Sequence, residues 1–169
     1  MTDILGKLFS YILMAFALLM AMMSLLTGID RIMDSYVANK ATSFVDICRT
    51  TGKIDPENYE NFCNSIYRIG DYEIELCHGK RVALWSTEGT EITHKEFYTE
   101  EILLKMYGES ETENFAYLLN NGDYVKVSVR KEGKGFSGAF YEFFLDQATT
   151  TKLLASYSGV VGSNGMAFD

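Results

Sequence analysis

The side chains with the means to do chemistry are few and scattered. Gly133-Lys134-Gly135-Phe136-Ser137-Gly138 fits the GxGxxG spacing of a dinucleotide turn and stands between an expected strand and an expected helix. The rest of such a site is missing. The helix that follows is short, no long βαβ unit fits, and the position about twenty residues on is Tyr157 or Ser158, not an acid. A flexible glycine turn is the better reading. Cys77 and His78 adjoin, and Cys48 and Cys63 could join them as metal ligands. Structural zinc sites, however, pair ligands about two to four residues apart, and these cysteines stand about fifteen apart. His94 falls on a polar stretch and reads as solvated surface. Glu73 and Glu75 share one face of an expected strand, where two carboxylates are ordinarily solvated. Asn121-Gly122-Asp123 has oxygen ligands for calcium, but turn chemistry explains it better. With two histidines in the chain, no GxSxG and no HExxH, the sequence predicts no catalysis, no metal and no cofactor.

The element around which everything else must be placed is Leu8 to Ile29, which contains no charged residue. As a helix it covers the ~30 Å hydrocarbon core of a bilayer. It is longer than the apolar region of a cleavable signal peptide and lacks a small-x-small exit, since Gly28 runs directly into Ile29 and Asp30. Only Ser10, Tyr11, Ser24 and Thr27 break it, all tolerated in lipid. Leu8, Phe9, Ile12, Leu13, Phe16, Leu18, Leu19, Met20, Met23, Leu25 and Leu26 are therefore expected to face lipid or other helices of the same kind. Ala15, Ala17, Ala21, Ser24 and Gly28 would let backbones approach closely.

The helical pattern continues beyond this stretch. Ile29, Ile32, Met33, Tyr36, Val37, Ala41, Phe44, Val45 and Cys48 recur at three- and four-residue steps, and Gly52 is a good stop. One helix from near Thr2 to Thr51 would be about 75 Å long. Ile32, Met33, Tyr36, Val37, Phe44 and Val45 are expected to pack on the body of the protein.

Asp55-Pro56-Glu57 predicts a second helix start, with Asp55 as cap and an end at Gly70. Tyr72 to Leu76 alternates like a half-buried strand; Gly79-Lys80 reads as a turn and Arg81 to Ser86 as the returning strand. Thr93-His94-Lys95-Glu96 matches a capping box ahead of a short helix bearing Phe97, Glu101, Ile102, Leu103, Met106 and Tyr107. Asn120 to Asp123 predicts a turn, Tyr124 to Arg130 a strand, Gly138 to Gln147 an aromatic helix, and Lys152 to Ser158 a weak strand before a glycine-rich tail. Phe136, Phe140, Phe143 and Phe144 are expected to pack on the sheet, or else to form a subunit contact.

The expected fold is α+β: an N-terminal helix over residues 1–52 and a globular domain with antiparallel strands and short helices over 53–169. A net charge of −8 with no basic cluster excludes a nucleic-acid face. Eleven Phe, eleven Tyr and a single Pro argue against disorder. Three cysteines make no complete disulfide framework. Cys48 and Cys63 fall on apolar helix faces, which suits buried thiols; their pairing in a disulfide is the alternative. Lys and Arg flank the apolar stretch almost evenly, so an inside N-terminus and an outside body is a default.

With these elements in place, the chain resembles the TadE-like pseudopilins, pilin-like proteins of Gram-positive tight-adherence pilus systems. The resemblance is carried by Phe44-Val45-Asp46 running into Arg49-Thr50-Thr51-Gly52-Lys53-Ile54, by Asn58-Tyr59-Glu60-Asn61-Phe62, and by Tyr72-Glu73-Ile74-Glu75-Leu76. Glu100-Glu101-Ile102-Leu103 and Gly122-Asp123-Tyr124-Val125-Lys126-Val127 add to it. It implies a structural subunit, held in lipid as a single-pass membrane protein and then packed with copies of itself or other pilins in a cell-surface filament. The chain departs from pilins at one point. Gly6 is followed by Lys7, Leu8, Phe9, Ser10 and Tyr11, without the glutamate that pilins carry five residues after their cleavage glycine, and Asp3 is the candidate substitute carboxylate. A reading from a different class is a membrane-tethered binding or sensory domain that never polymerises.

Overall fold

The computed structural model describes residues 2–86, 89–108, 115–145 and 152–162. The fold is α+β, as expected. Helix α1 runs unbroken over Thr2–Thr51. It stops at Gly52, whose φ of 67° suits a residue without a Cβ and whose N–H donates to the Cys48 carbonyl at 2.9 Å. Strand β1 (Lys53–Ile54) leads into α2 (Pro56–Tyr67), followed by β2 (Tyr72–Ser86), β3 (Gly89–Tyr98), α3 (Thr99–Tyr107), β4 (Tyr117–Leu118), β5 (Tyr124–Lys131), α4 (Phe136–Leu145) and β6 (Lys152–Val160). β1 pairs antiparallel with β4, and an antiparallel sheet has the order β3-β2-β5-β6.

The chain forms two compact units, Met1–Ser35 with Lys134–Thr150 and Tyr36–Gly133 with Thr151–Asp169. The outer part of α1 supplies core side chains to the second unit. In that unit Val37, Ala41, Phe44, Val45 and Cys48 of α1 are buried with Phe62, Cys63 and Ile66 of α2. Tyr72, Ile74 and Leu76 of β2 and Val125, Val127 and Val129 of β5 join this core, with Ile54, Ile102, Met106, Tyr117, Leu119 and Val161. Phe44 and Phe62 stack with centroids 4.7 Å apart. The expected packing stripe is therefore shorter than its sequence pattern: Ile32 is 71 % exposed and Tyr36 42 % exposed, with the Lys40 amine over its ring. Met33 is half-buried.

Three local expectations are corrected. Asp55 occupies the cap position of α2 but makes no side-chain cap bond; its carboxylate meets Lys53 Nζ at 3.4 Å. Gly79-Lys80 is no turn, since β2 passes straight through it and pairs with β3 from Cys77↔Tyr98 to Ser86↔Gly89. Thr93 to Glu96 caps no helix and lies within β3, because the long pairing with β2 overrides the local pattern. The helix begins at Thr99 instead, whose hydroxyl accepts the Leu76 N–H at 2.8 Å.

Gly79 has a packing reason. A Cβ there would fall inside the Tyr124 ring, which crosses the strand at this point. Gly79→Ala should lower stability by about 1–3 kcal/mol, as overpacking does, or swing the ring away. Both outcomes are readable. Tyr124 donates to Glu96 Oε1 at 2.6 Å, and this bond, together with burial, raises the phenol pKa. In the variant, the urea midpoint should fall and Tyr124 should titrate closer to an ordinary tyrosine.

Candidate functional site

The first candidate is the inner part of α1. From Ile4 onward it is long and apolar enough to cross a membrane, and only 6 % of its most apolar window is buried inside the structure. Leu8, Phe9, Ile12, Leu13, Phe16, Leu18, Met20 and Leu25 are exposed; Leu19, Met23 and Leu26 are half-buried. A surface of this size and chemistry is unfavourable in water at roughly 25 cal/mol per Å².

Asp30, the first charged residue after that stretch, holds α4. Its carboxylate accepts the backbone N–H groups of Phe136 and Ser137, both at 2.9 Å, and the Ser137 hydroxyl. The glycine turn before α4 therefore cradles no phosphate: an internal carboxylate occupies the N–H groups that would bind one. A side chain at Gly135 would collide with Asp30, which accounts for glycine there.

Sequence reasoning missed a buried polar network in the second unit. His78, 2 % exposed, and Asp123, 1 % exposed, lie on the core side with Tyr117. His78 Nε2 is 3.0 Å from Asp123 Oδ2, and Nδ1 is 2.8 Å from the Tyr117 hydroxyl. A carboxylate only accepts, so Nε2 carries the hydrogen; in the neutral ring Nδ1 accepts from Tyr117. The backbone N–H groups of Arg81 and Asn120 also donate to Asp123, each at 2.8 Å. Burial taken alone would raise the Asp123 pKa, but these hydrogen bonds outweigh it and hold the carboxyl below its usual range. Burial, then the nearby Asp123 and Glu101 charges, pushes the Tyr117 phenol up to about 12. The one legible signal was His78 on the apolar parity of β2, two residues after Leu76. The network ties β2 to the β4–β5 connection.

The outer sheet face carries a cleft of about 560 Å³ bordered by Glu75, Cys77, Glu96, Tyr98, Tyr124 and Lys126. Tyr98 and Tyr124 both donate to Glu96, which lowers its pKa. Glu73 and Glu75 share Arg130, at 3.6 and 2.9 Å. His94 is exposed, with its ring centroid 5.3 Å from that of Tyr124. Cys77 and His78 project to opposite sheet faces, so they do not converge. Cys48 and Cys63 are buried free thiols, and burial pushes the Cys48 thiol up to about 12. Among the described residues, no group of three or more His, Cys, Asp or Glu side chains could hold a metal ion. Phe144 and the tail beyond Gly162 lie outside the described side chains.

Fold and site together define a small α+β body on an N-terminal helix capable of crossing a membrane. Comparison with protein-family models, curated proteins and solved structures finds no match.

Proposed function

We propose that this chain is a pilin-like structural subunit, inserted in the membrane by the inner part of α1 and assembled into a cell-surface filament with copies of itself or related subunits. The observation that carries this reading is α1. One uninterrupted helix exposes an apolar surface over its inner residues and contributes Val37, Phe44, Val45 and Cys48 to the core of the body. A helix apolar all round can be solvated by lipid or by other such helices, and transfer from the first to the second is filament assembly. Head-to-tail contacts of this kind propagate helically. The body carries no catalysis in this reading, and the acidic chain (net charge −8) suits neither nucleic acid nor anionic lipid.

The test is electron microscopy of surface-sheared material with antibody against the body, which should label filaments. Label confined to cell envelopes would instead support a tethered binding domain, the reading that the cleft at Glu96 and Tyr124 favours.

A further inference from the structure

We infer that α4 is an interfacial helix, seated in the headgroup–acyl boundary of the same membrane that α1 crosses; this rests on the membrane reading of α1 given above. Three observations carry it. The first is position. Asp30 ends the charge-free run from Leu8, so when α1 spans a bilayer this residue stands at the membrane surface, and the first N–H groups of α4 are bonded to its carboxylate. Ten helical residues rise about 15 Å, so every residue of α4 lies within about 15 Å of that level, whatever the direction of the helix.

The second observation is composition. α4 reads FSGAFYEFFL, with Glu142 its single charge, and Glu142 is ion-paired with Lys134. Phe136, Phe140 and Phe143 follow helical spacing along one stripe. Phe136 is 53 % exposed and Phe143 83 % exposed. A helix directed away from the membrane would hold these rings in water. One running along or into the boundary places them where aromatic side chains are enriched at membrane surfaces.

The third is grouping. Lys134–Thr150 belongs to the same compact unit as Met1–Ser35, not to the body that flanks it in sequence on both sides. The aromatic helix expected to pack on the sheet is thus built onto the membrane-crossing segment.

The full chain reconstituted in phosphatidylcholine vesicles tests this. With the natural Trp85 replaced by Phe, single probes Phe143→Trp and, separately, Leu18→Trp are read by emission wavelength and quenching. The expected result for the probe at 143 is blue-shifted emission, quenching by lipids brominated near the headgroup end of the acyl chain, and protection from aqueous iodide. Leu18→Trp should be quenched by mid-chain bromines. Adding Asp30→Ala to Phe143→Trp should shift the emission red and admit iodide; an unchanged spectrum refutes the Asp30 anchor. Iodide quenching at 143 with deep quenching at 18 overturns the interfacial helix while leaving the membrane reading intact. Blue-shifted emission at 143 that ignores bromines and reverts on dilution shows contact with a second copy and also overturns it. Loss of deep quenching at 18 removes the membrane reading, and this inference with it.

Discussion

With α1 inserted as proposed, arginine at both Phe16 and Leu18 should strip the chain from the membrane. Both residues are exposed and near the middle of the charge-free run. That run contains ten Leu, Ile or Phe residues, each favouring insertion by about 0.3–0.6 kcal/mol at the helix centre, a gross gain of about 3–6 kcal/mol. Each exchange to Arg costs about 3–4 kcal/mol on the same scale, so two cost about 6–8 kcal/mol and reverse the sign. At about 1.4 kcal/mol per tenfold, the membrane partition constant should fall by about four to six orders of magnitude. Carbonate extraction reads this directly: wild type and Phe16→Ala/Leu18→Ala stay in the pellet, and the double arginine variant leaves it. A pellet that keeps the arginine variant would mean that something other than lipid holds the helix.

Removing the Asp123 carboxylate should have the largest single-residue effect in the body. Asp123→Ala leaves the Arg81 and Asn120 N–H groups and His78 Nε2–H without their acceptor. Each stranded buried donor costs about 1–3 kcal/mol. Against a total of about 5–15 kcal/mol for a folded domain, that is a large share. The urea midpoint in detergent should fall accordingly near pH 7. The effect is pH-dependent with a defined sign. Because the folded Asp123 pKa lies below its ordinary value near 3.8, its contribution is present above that value and is lost as pH falls through the folded pKa. The gap between wild type and variant should therefore narrow in acid. At the other extreme the Tyr117 pKa is raised to about 12, so stability should decline from about pH 10, where the unfolded phenol ionises, to about pH 12. A gap that persists unchanged in strong acid would show that the carboxylate is not the acceptor described.

Patterns with local causes were readable from the chain. α1 follows from an apolar run, a helical stripe and a terminal glycine, and it appears with the expected bounds, Thr2–Thr51. β5 follows from strict alternation after an Asn-Gly turn, and it extends the expected strand by one residue to Lys131. What failed had non-local causes. Gly79-Lys80 looks like a turn because turns favour glycine, yet this glycine makes room for a tyrosine from a strand far along the chain. Thr93 to Glu96 spells a helix cap, but pairing with β2 makes it strand. The aromatic helix begins at Phe136 instead of Gly138, because the carboxylate that caps it comes from Asp30, 106 residues before Phe136. The His78 network stayed hidden because its partners are scattered at Tyr117 and Asp123, with only the strand parity of His78 as a sign.

Composition alone makes residues 8–29 long and apolar enough to cross a membrane and costly to leave in water, because the transfer free energy of a charge-free helix is a local property. It also sets the class, α+β, since hydrophobic periods of 3.6 and 2 are local properties of the chain. Which part of the helical stripe is covered could not be read that way. Burial begins at Val37 and not at Ile32 because covering a face requires a partner surface, and only tertiary contact supplies one. The same holds for Asp30 and Asp123: their carboxylates acquire roles from donors brought near by folding, which spacing along a sequence cannot encode.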